Sequence, residues 1–399
     1  MYRFLSLVFA AFFCVSCFSN GNTVKSANDS DPVSEAVDAD QGESSGEPAA
    51  DIDIETTDEI SEADTSDEDF EETEEDGFID DSDKTTEESD SDPGNGSDEQ
   101  TVPDEEETDD EYEYEEIDDF GGDSIHIRIV AGNITSGNGQ SYDPGEGIRI
   151  FKALKPDIAL VQEMNYKNKS DSDYRNFAQQ IVGKNYYAVD SADYQIPNGV
   201  VSRYPIRSHG YWTDPNINNR ALMWAVVDIP GNTDIFAISV HLHTKPASDQ
   251  VKAAQVIVDE IAKVKEKNPG KYYYVVGGDF NGDSAVSSNG FGKNNTFYVD
   301  GPDPVDEDKN GNTNAGRKKQ YDFVLADYPL HQFQIPVVYY SSKDPEKTKT
   351  YEDGLVFDTR VYSQSELDEY FSPAETGDSG ASNMQHMAVV KDFFIEFNK

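Results

Sequence analysis

The sequence predicts an α/β fold in which two packed sheets are flanked by helices, following a disordered acidic arm. Two observations lead there. Of 80 Asp and Glu in the 399 residues, 43 fall in residues 1–120, alongside only three bases, Arg3, Lys25 and Lys84. Residues 121–399 hold the other 37 acids and 28 bases, so an ordinary globular composition follows an arm of net charge −40. Within 121–399, apolar runs of strand length alternate with a few helical patterns and no internal repeat, the texture of stacked sheets with helices outside them. This division excludes a basic nucleic-acid-coating protein, a collagen-like chain and a multi-spanning membrane protein. It also makes the total charge of −49 a poor guide to the substrate.

At the start of the chain, Arg3 is followed by apolar residues from Phe4 to Val15. About a dozen residues are too few to span a bilayer, which takes roughly 20, but they suit a secretory signal core. Cys14-Val15-Ser16-Cys17 resembles the lipobox of bacterial lipoproteins. That resemblance implies cleavage before Cys17, lipidation of its thiol and export to a bacterial membrane, periplasmic or cell-surface. The alternative is an ordinary secretory signal that contains cysteines. Both cysteines of the chain lie here, so the exported domain is expected to hold no disulfide and to rely on its core. Residues 18–120 have no apolar period and cannot offset the entropy of ordering. They are expected to form a self-repelling tether with a reach of roughly 50–60 Å; a partner-binding or calcium-sequestering tail is the other reading.

Residues 121–399 are expected to form one catalytic domain. Ile125, Ile127 and Ile129 alternate with polar residues as in a half-buried strand, which ends at Asn133. Residues 145–154 read as a short helix stopped by Lys155-Pro156, and 157–161 as a continuous apolar strand ending in Gln162-Glu163. Tyr174, Phe177, Ala178 and Ile181 sit at helical spacing. Strands are expected at 199–202, 221–229 and 234–240, then the longest helix at 249–267, stopped by Asn268-Pro269-Gly270. Further strands follow at 272–276, 321–326, 335–340 and 388–397, with large loops at 282–320 and 341–380.

Unusual polar residues cluster where these apolar runs stop: Asn133, Glu163, His241, Asp279, Asn281 and Asp322. Strands that run the same way share an end of a sheet, so such groups can converge on one rim. There they would make a hard-metal site with acid and base groups. Any one of them alone reads as a turn residue or a helix cap.

The segments AGNITSG, LVQEM, GVVSRYPI, SVHLHT, GGDFN, YDFVL and MQHMAVVKDF, in that order, resemble the endonuclease/exonuclease/phosphatase superfamily across residues 125–397. The resemblance implies a two-sheet α/β sandwich and metal-dependent hydrolysis of phosphate esters. Matched by motif, Glu163 would be the main Mg2+ ligand with Asn133 beside it, Mn2+ being an alternative. Asp279 and Asn281 would position and activate the attacking water. His241, preferred to His243, would donate to a phosphoryl oxygen. His386 would be oriented by Asp322, and together these groups would support in-line attack on phosphorus.

Arg203, in Ser-Arg-Tyr-Pro, is either a substrate-phosphate contact or a structural ion pair, the latter favoured; Arg220 is the better phosphate candidate. One departure stands out. The family's terminal Ser-Asp-His places an Asp where this chain has Gln385, and the nearest substitutes are Asn383 and Asp378. That removes a negative charge from the metal site. Asp306, Asp308 and Asn310 begin a sequence like a calcium loop, but its twelfth position is Arg317 in place of Glu, so a flexible surface loop is the preferred reading. The function expected is an extracytoplasmic nuclease. The alternatives are a sphingomyelinase-like or small-phosphoester phosphatase, and a surface module that has lost activity. The basic clusters Arg317-Lys318-Lys319 and Lys343 to Lys349 favour nucleic acid. Nothing in the sequence points to a protein partner.

Overall fold

The computed structural model of the protein describes residues 123–134, 145–282, 286–382 and 384–397. The signal-like segment, Cys17 and the acidic arm lie outside them. All described residues belong to one compact unit, Thr101–Lys399. Among them, no helix is long and apolar enough to cross a membrane.

The first half holds the elements expected from the apolar pattern together with two strands, at 186–189 and 206–212, that the pattern did not mark. It contains β1 (Ser124–Gly132), α1 (Glu146–Leu154), β2 (Ile158–Val161), α2 (Asp171–Val182), β3 (Tyr186–Val189), β4 (Gly199–Ser202) and β5 (Ile206–Trp212). Lys155 takes a left-handed conformation that ends α1 just before Pro156. A capping box between Ser170 and Asp173 starts α2, and Gly183 at φ 68° ends it. Next come β6 (Leu222–Val227), β7 (Asp234–His241), α3 (Ala247–Lys267), β8 (Tyr272–Asp279) and β9 (Asp322–Ala326).

The last third departs from the expectation. The strand expected over 335–340 is broken at Pro336, which has no N–H to give a ladder. After the short α4 (Tyr328–His331), β10 (Gln334–Ile335) lies in one sheet, while β11 (Val337–Tyr340) pairs with β12 (Thr348–Tyr351) as a separate hairpin. The stretch expected to be a loop at 341–380 also holds β13 (Leu355–Phe357) and α5 (Gln364–Tyr370). A capping box between Ser363 and Glu366 starts α5, a signature visible in the sequence.

Two mixed sheets result. The larger has the order β10-β14-β1-β2-β4-β3, with β14 spanning Ala388–Glu396 and β13 also paired to it; the other runs β5-β6-β7-β8-β9. Between them lies a buried layer that includes Ile127, Ile129, Leu160 and Val200 from one sheet and Met223, Ala237, Val275 and Val324 from the other. A second apolar layer packs Phe151 of α1, Phe177 of α2 and Leu367 of α5 on the outer face of the larger sheet. A third packs Ala254, Ile257 and Ile261 of α3 over Ile238, Val240 and Val276. Each fully buried Phe, Ile, Leu or Val contributes about 1.5–3 kcal/mol, so the core can hold this fold without a disulfide.

Strand direction sets where function can sit. β1 and β2 run parallel, as do β7 and β8, so each pair ends on a common rim. β9 is antiparallel to β8, and β14 to β1, so β9 and β14 begin at the rim where those partners end. The rim therefore collects the ends of four strands and the starts of two.

Candidate active site

Each element delivers one group to this rim. Asn133 follows β1 and Glu163 follows β2. His241 and Asp279 are the last residues of β7 and β8 and face each other in register. Asp322 opens β9, opposite Asp279. His386 lies two residues before β14, held by a bridge to Asn314. Asp322 therefore comes from a strand start, which corrects the expectation that it lies where an apolar run stops; His386 precedes its strand as the sequence placed it.

Two of these residues occupy the left-handed region, Glu163 at φ 51° and Asn281 at φ 47°. Asn tolerates it; Glu does so at a cost of order 1–3 kcal/mol, the kind of local strain found at functional sites.

Asp279 is the hub. Its Oδ2 lies 3.1 Å from Asn133 Nδ2, 3.5 Å from His241 Nε2 and 3.4 Å from His386 Nε2. Its Oδ1 accepts the Asn281 N–H at 2.8 Å. Asn133 Nδ2 also reaches Glu163 Oε1 at 3.4 Å, and His241 Nδ1 is 3.6 Å from that same oxygen. His386 Nδ1 and Asp322 Oδ2 are 2.7 Å apart. All six side chains are buried.

Burial divides the charge states. It pushes the Glu163 carboxyl up to about 6, against the opposing Asn133 hydrogen bond. His241 is held well below the ordinary imidazole value by burial, by Arg220 and by His386, so it is neutral at pH 7. Burial alone would lower His386 as well, but Asp322 and Asp279 overcome it and raise the ring to about 10. Burial also raises Asp322, opposed by His386. One neutral and one protonated imidazole thus flank a single carboxylate, a division of labour suited to acid–base chemistry.

Two groups of donors could hold a cation. Glu163 and the Asn133 side chain offer hard oxygens, and the buried Asn133 Oδ1 has no hydrogen-bond partner among the described residues. An oxygen set of this kind, completed by water and phosphate, fits Mg2+. The trio Asp279, Asp322 and His386 is also close enough to share an ion. There, however, Asp322 and Asp279 hold the His386 ring protonated, which leaves no nitrogen lone pair for an ion, so the first group is the better fit.

Residues 147–332 match the profile described as the Endonuclease/Exonuclease/phosphatase family. The chain carries an endonuclease/exonuclease/phosphatase domain. Members of this family are hydrolases of phosphate esters. The matched stretch includes Glu163, His241, Asp279 and Asp322; Asn133 and His386 flank it. No curated protein sequence matches the chain. Among solved structures, truncated TDP2 from Caenorhabditis elegans is similar at 16% identity, over 68% of this chain and 98% of that one, with a TM-score of 0.45. An endonuclease/exonuclease/phosphatase family protein from Bacteroides thetaiotaomicron is similar at 12% identity, over 69% and 97%, with a TM-score of 0.44. Sphingomyelinase C from Streptomyces griseocarneus is similar at 13% identity, over 67% and 99%, with a TM-score of 0.39.

In this endonuclease/exonuclease/phosphatase domain, Arg203 lies away from the catalytic rim. It pairs with Asp157 at 3.4 Å, where β2 begins and β4 has ended, so the structural ion pair is the geometry found. Arg220 is buried and directs Nε to the His241 carbonyl at 2.6 Å and Nη2 to the Leu242 carbonyl at 2.8 Å, which places two of its nitrogens on main chain beside the site, while Nη1 meets Asn219 Oδ1 at 3.2 Å. His243 is more exposed than His241 and lies 3.8 Å from Asp249. The Gln385 side chain is exposed, and its carbonyl accepts the Ala315 N–H at 2.6 Å. Asp378 is bound by Arg149, and Asn383 lies outside the described residues.

The calcium-like loop is built differently from its sequence reading. Asp306 is buried and bonds Arg317, while Asp308 is exposed, so a guanidinium neutralises the loop's buried carboxylate. The loop is ordered by Asn310 and Asn312, whose side chains both donate to the Arg317 carbonyl. Arg317 is thereby removed from the expected basic cluster, leaving Lys318 and Lys319 exposed. The second cluster is neutralised: Lys343 pairs with Glu369, Lys347 with Asp344, and Lys349 with Glu307 and Glu366.

Sequence reading missed the residues that let the sheets close at the rim. Gln162 donates to Ser239 Oγ at 2.9 Å, and Ser239 donates to the Val161 carbonyl at 3.0 Å, a polar clasp between β2 and β7. The signal was the paired glycines before Asp279. A Cβ on Gly278 (φ 135°) would lie 2.1 Å from the Val240 carbonyl oxygen and 2.6 Å from Gln162 Nε2.

Proposed function

We propose that this protein is a divalent-metal-dependent phosphodiesterase acting on nucleic acid outside the cytoplasm, anchored through Cys17. The observation that carries the reaction class is the Asp279 carboxylate, whose Oδ2 meets donors from β1, β7 and the β14 approach within 3.5 Å. Asp279, oriented by the Asn281 N–H, holds the attacking water and takes its proton. His386, protonated at neutral pH, presents Nε2–H to the negative charge that builds on the phosphoryl oxygens. His241, neutral, adds a second hydrogen bond at the same place. Glu163 and Asn133 would hold Mg2+ or Mn2+. When bound, the ion would supply Lewis-acid stabilisation of phosphoryl charge.

A polyanionic substrate is supported by Lys318 and Lys319, which are exposed in the segment that leads into Asp322. The internal neutralisation of the Lys343 to Lys349 cluster favours the second reading, a sphingomyelinase-like or small-phosphoester activity. Incubation of the protein with plasmid DNA, RNA, sphingomyelin and a phosphomonoester, in Mg2+ or EDTA, separates the two. Turnover of DNA or RNA only in Mg2+ is the expected outcome. Preference for sphingomyelin or the monoester overturns the nuclease reading, and no turnover of any substrate overturns both.

A further inference from the structure

We infer that Arg220 is a positioning residue for the catalytic rim, acting through main-chain carbonyls and without touching substrate. The inference rests on the proposed phosphodiesterase reading for its kinetic readout, but its geometry stands alone. Arg220 Nε donates to the His241 carbonyl at 2.6 Å and Nη2 to the Leu242 carbonyl at 2.8 Å, just as β7 ends. The Leu242 carbonyl also accepts the Asn281 Nδ2–H at 3.0 Å, and the Leu242 N–H donates to the Asp279 carbonyl at 2.9 Å. One guanidinium thus ties together His241, Asp279 and Asn281, three of the four residues assigned to water and phosphoryl contact, His386 being the fourth.

The guanidinium also donates Nη1 to Asn219 Oδ1 at 3.2 Å, and the main chain that carries it is held from behind. The peptide groups of its neighbour Ala221 are clamped on both sides: Asp190 Oδ2 accepts the Ala221 N–H at 2.8 Å, and Asn198 Nδ2 donates to the Ala221 carbonyl at 2.7 Å. Asp190 also accepts the Asn198 N–H at 3.1 Å, closing the loop between β3 and β4 around this point. A planar fork with fixed donor directions can span two successive carbonyls; an ammonium on a flexible stem cannot hold both in that geometry. Gln250 adds a second brace, donating to the carbonyls of His243, Thr244 and Asn281. With the turn after β7 held by Arg220 and the turn after β8 held by Gln250 and Asn281, the hub carboxylate has little freedom.

Arg220→Ala and Arg220→Lys test this. A displacement of about 1 Å at a reacting group can lower turnover roughly 100-fold. Arg220→Ala is therefore expected to lose about that factor in kcat on an oligonucleotide, with KM within about twofold, and millimolar guanidinium is expected to restore part of the loss. A substrate-binding role would raise KM with kcat kept, and that result overturns the inference. A merely structural role would lower Tm and leave kcat per folded molecule unchanged, which also overturns it. Hydrogen exchange of the folded Arg220→Lys protein supplies a readout that needs no substrate, even if the Ala variant does not fold. Faster exchange confined to segments 240–243 and 279–282 is expected; unchanged protection there overturns the positioning role whatever substrate the enzyme takes.

Discussion

His386 Nδ1 and Asp322 Oδ2, from residues 64 positions apart in sequence, are 2.7 Å apart and buried together at the rim. Asp322 and Asp279 raise His386 from 6.5 to about 10 against the opposing effect of burial. A base whose folded value is raised stabilises the fold fully below its unfolded value and loses that contribution as pH rises through the folded one. The His386 contribution is therefore expected to be intact below pH 6.5 and to fall as pH approaches 10. In Asp322→Asn the ring should titrate at least ~2 units lower, followed by nitrogen NMR of the imidazole. A ring still protonated at pH 9 in that variant would assign the effect to Asp279 instead.

Removing the metal or its ligand should have parallel effects. Addition of Mg2+ at ~100 times its Kd is expected to stabilise the protein by about 2.7 kcal/mol, seen as a rise in Tm. Glu163→Gln should abolish that rise and the activity together, because the remaining Asn133 amide is neutral. A Tm in Glu163→Gln that still responds to Mg2+ would place the ion elsewhere, with Asp279, Asp322 and His386 the next candidate group.

Gly278→Ala should be among the most damaging single-methyl additions in the chain. The new Cβ would meet the Val240 carbonyl oxygen at 2.1 Å, and φ of 135° is closed to alanine. A loss of about 4 kcal/mol or more, measured by chemical denaturation, is expected. If the variant folds, Asp279 is displaced and activity should fall with stability; a stable, fully active Gly278→Ala protein would contradict the tight closure of β7 on β8.

Arg317→Met tests the loop that resembled a calcium site. Its guanidinium bonds Asp306 and lies 3.5 Å from Asp358, and both carboxylates are buried. Asp358 keeps its pair with Arg360, but leaving the buried Asp306 without its guanidinium should cost about 3–5 kcal/mol. Ca2+ should not restore the lost stability, since Asp308 points no buried carboxylate into the loop. Full recovery of Tm on adding Ca2+ would reinstate the metal reading.

Much of the fold was legible because its signals are local. The alternation of Ile125, Ile127 and Ile129 marks β1, and the Ser170–Asp173 and Gly183 pair marks both ends of α2. The segment around Pro336 was misread because apolar run length alone does not say which sheet a strand joins; the missing N–H at Pro336 does, once β14 and β12 are known as partners. α5 was missed because an apolar face of a single Leu367 is too small to register as a helical period.

The candidate site divides in the same way. The residue types and their places beside the strands are properties of the sequence: Asn133, Glu163, His241, Asp279, Asn281, Asp322 and His386 are all found there. What the sequence could not assign is contact. The sequence favours a structural ion pair for Arg203 and a phosphate contact for Arg220; Arg203 does pair with Asp157 away from the catalytic rim, but Arg220 bonds the carbonyls of His241 and Leu242 instead. The Lys343 to Lys349 cluster reads as a basic patch until α5 brings Glu366 and Glu369 against it. Periodicity and turn chemistry act over a few residues and so survive in the sequence. Strand direction, sheet order and charge pairing depend on residues tens to hundreds of positions apart, and only the folded chain decides them.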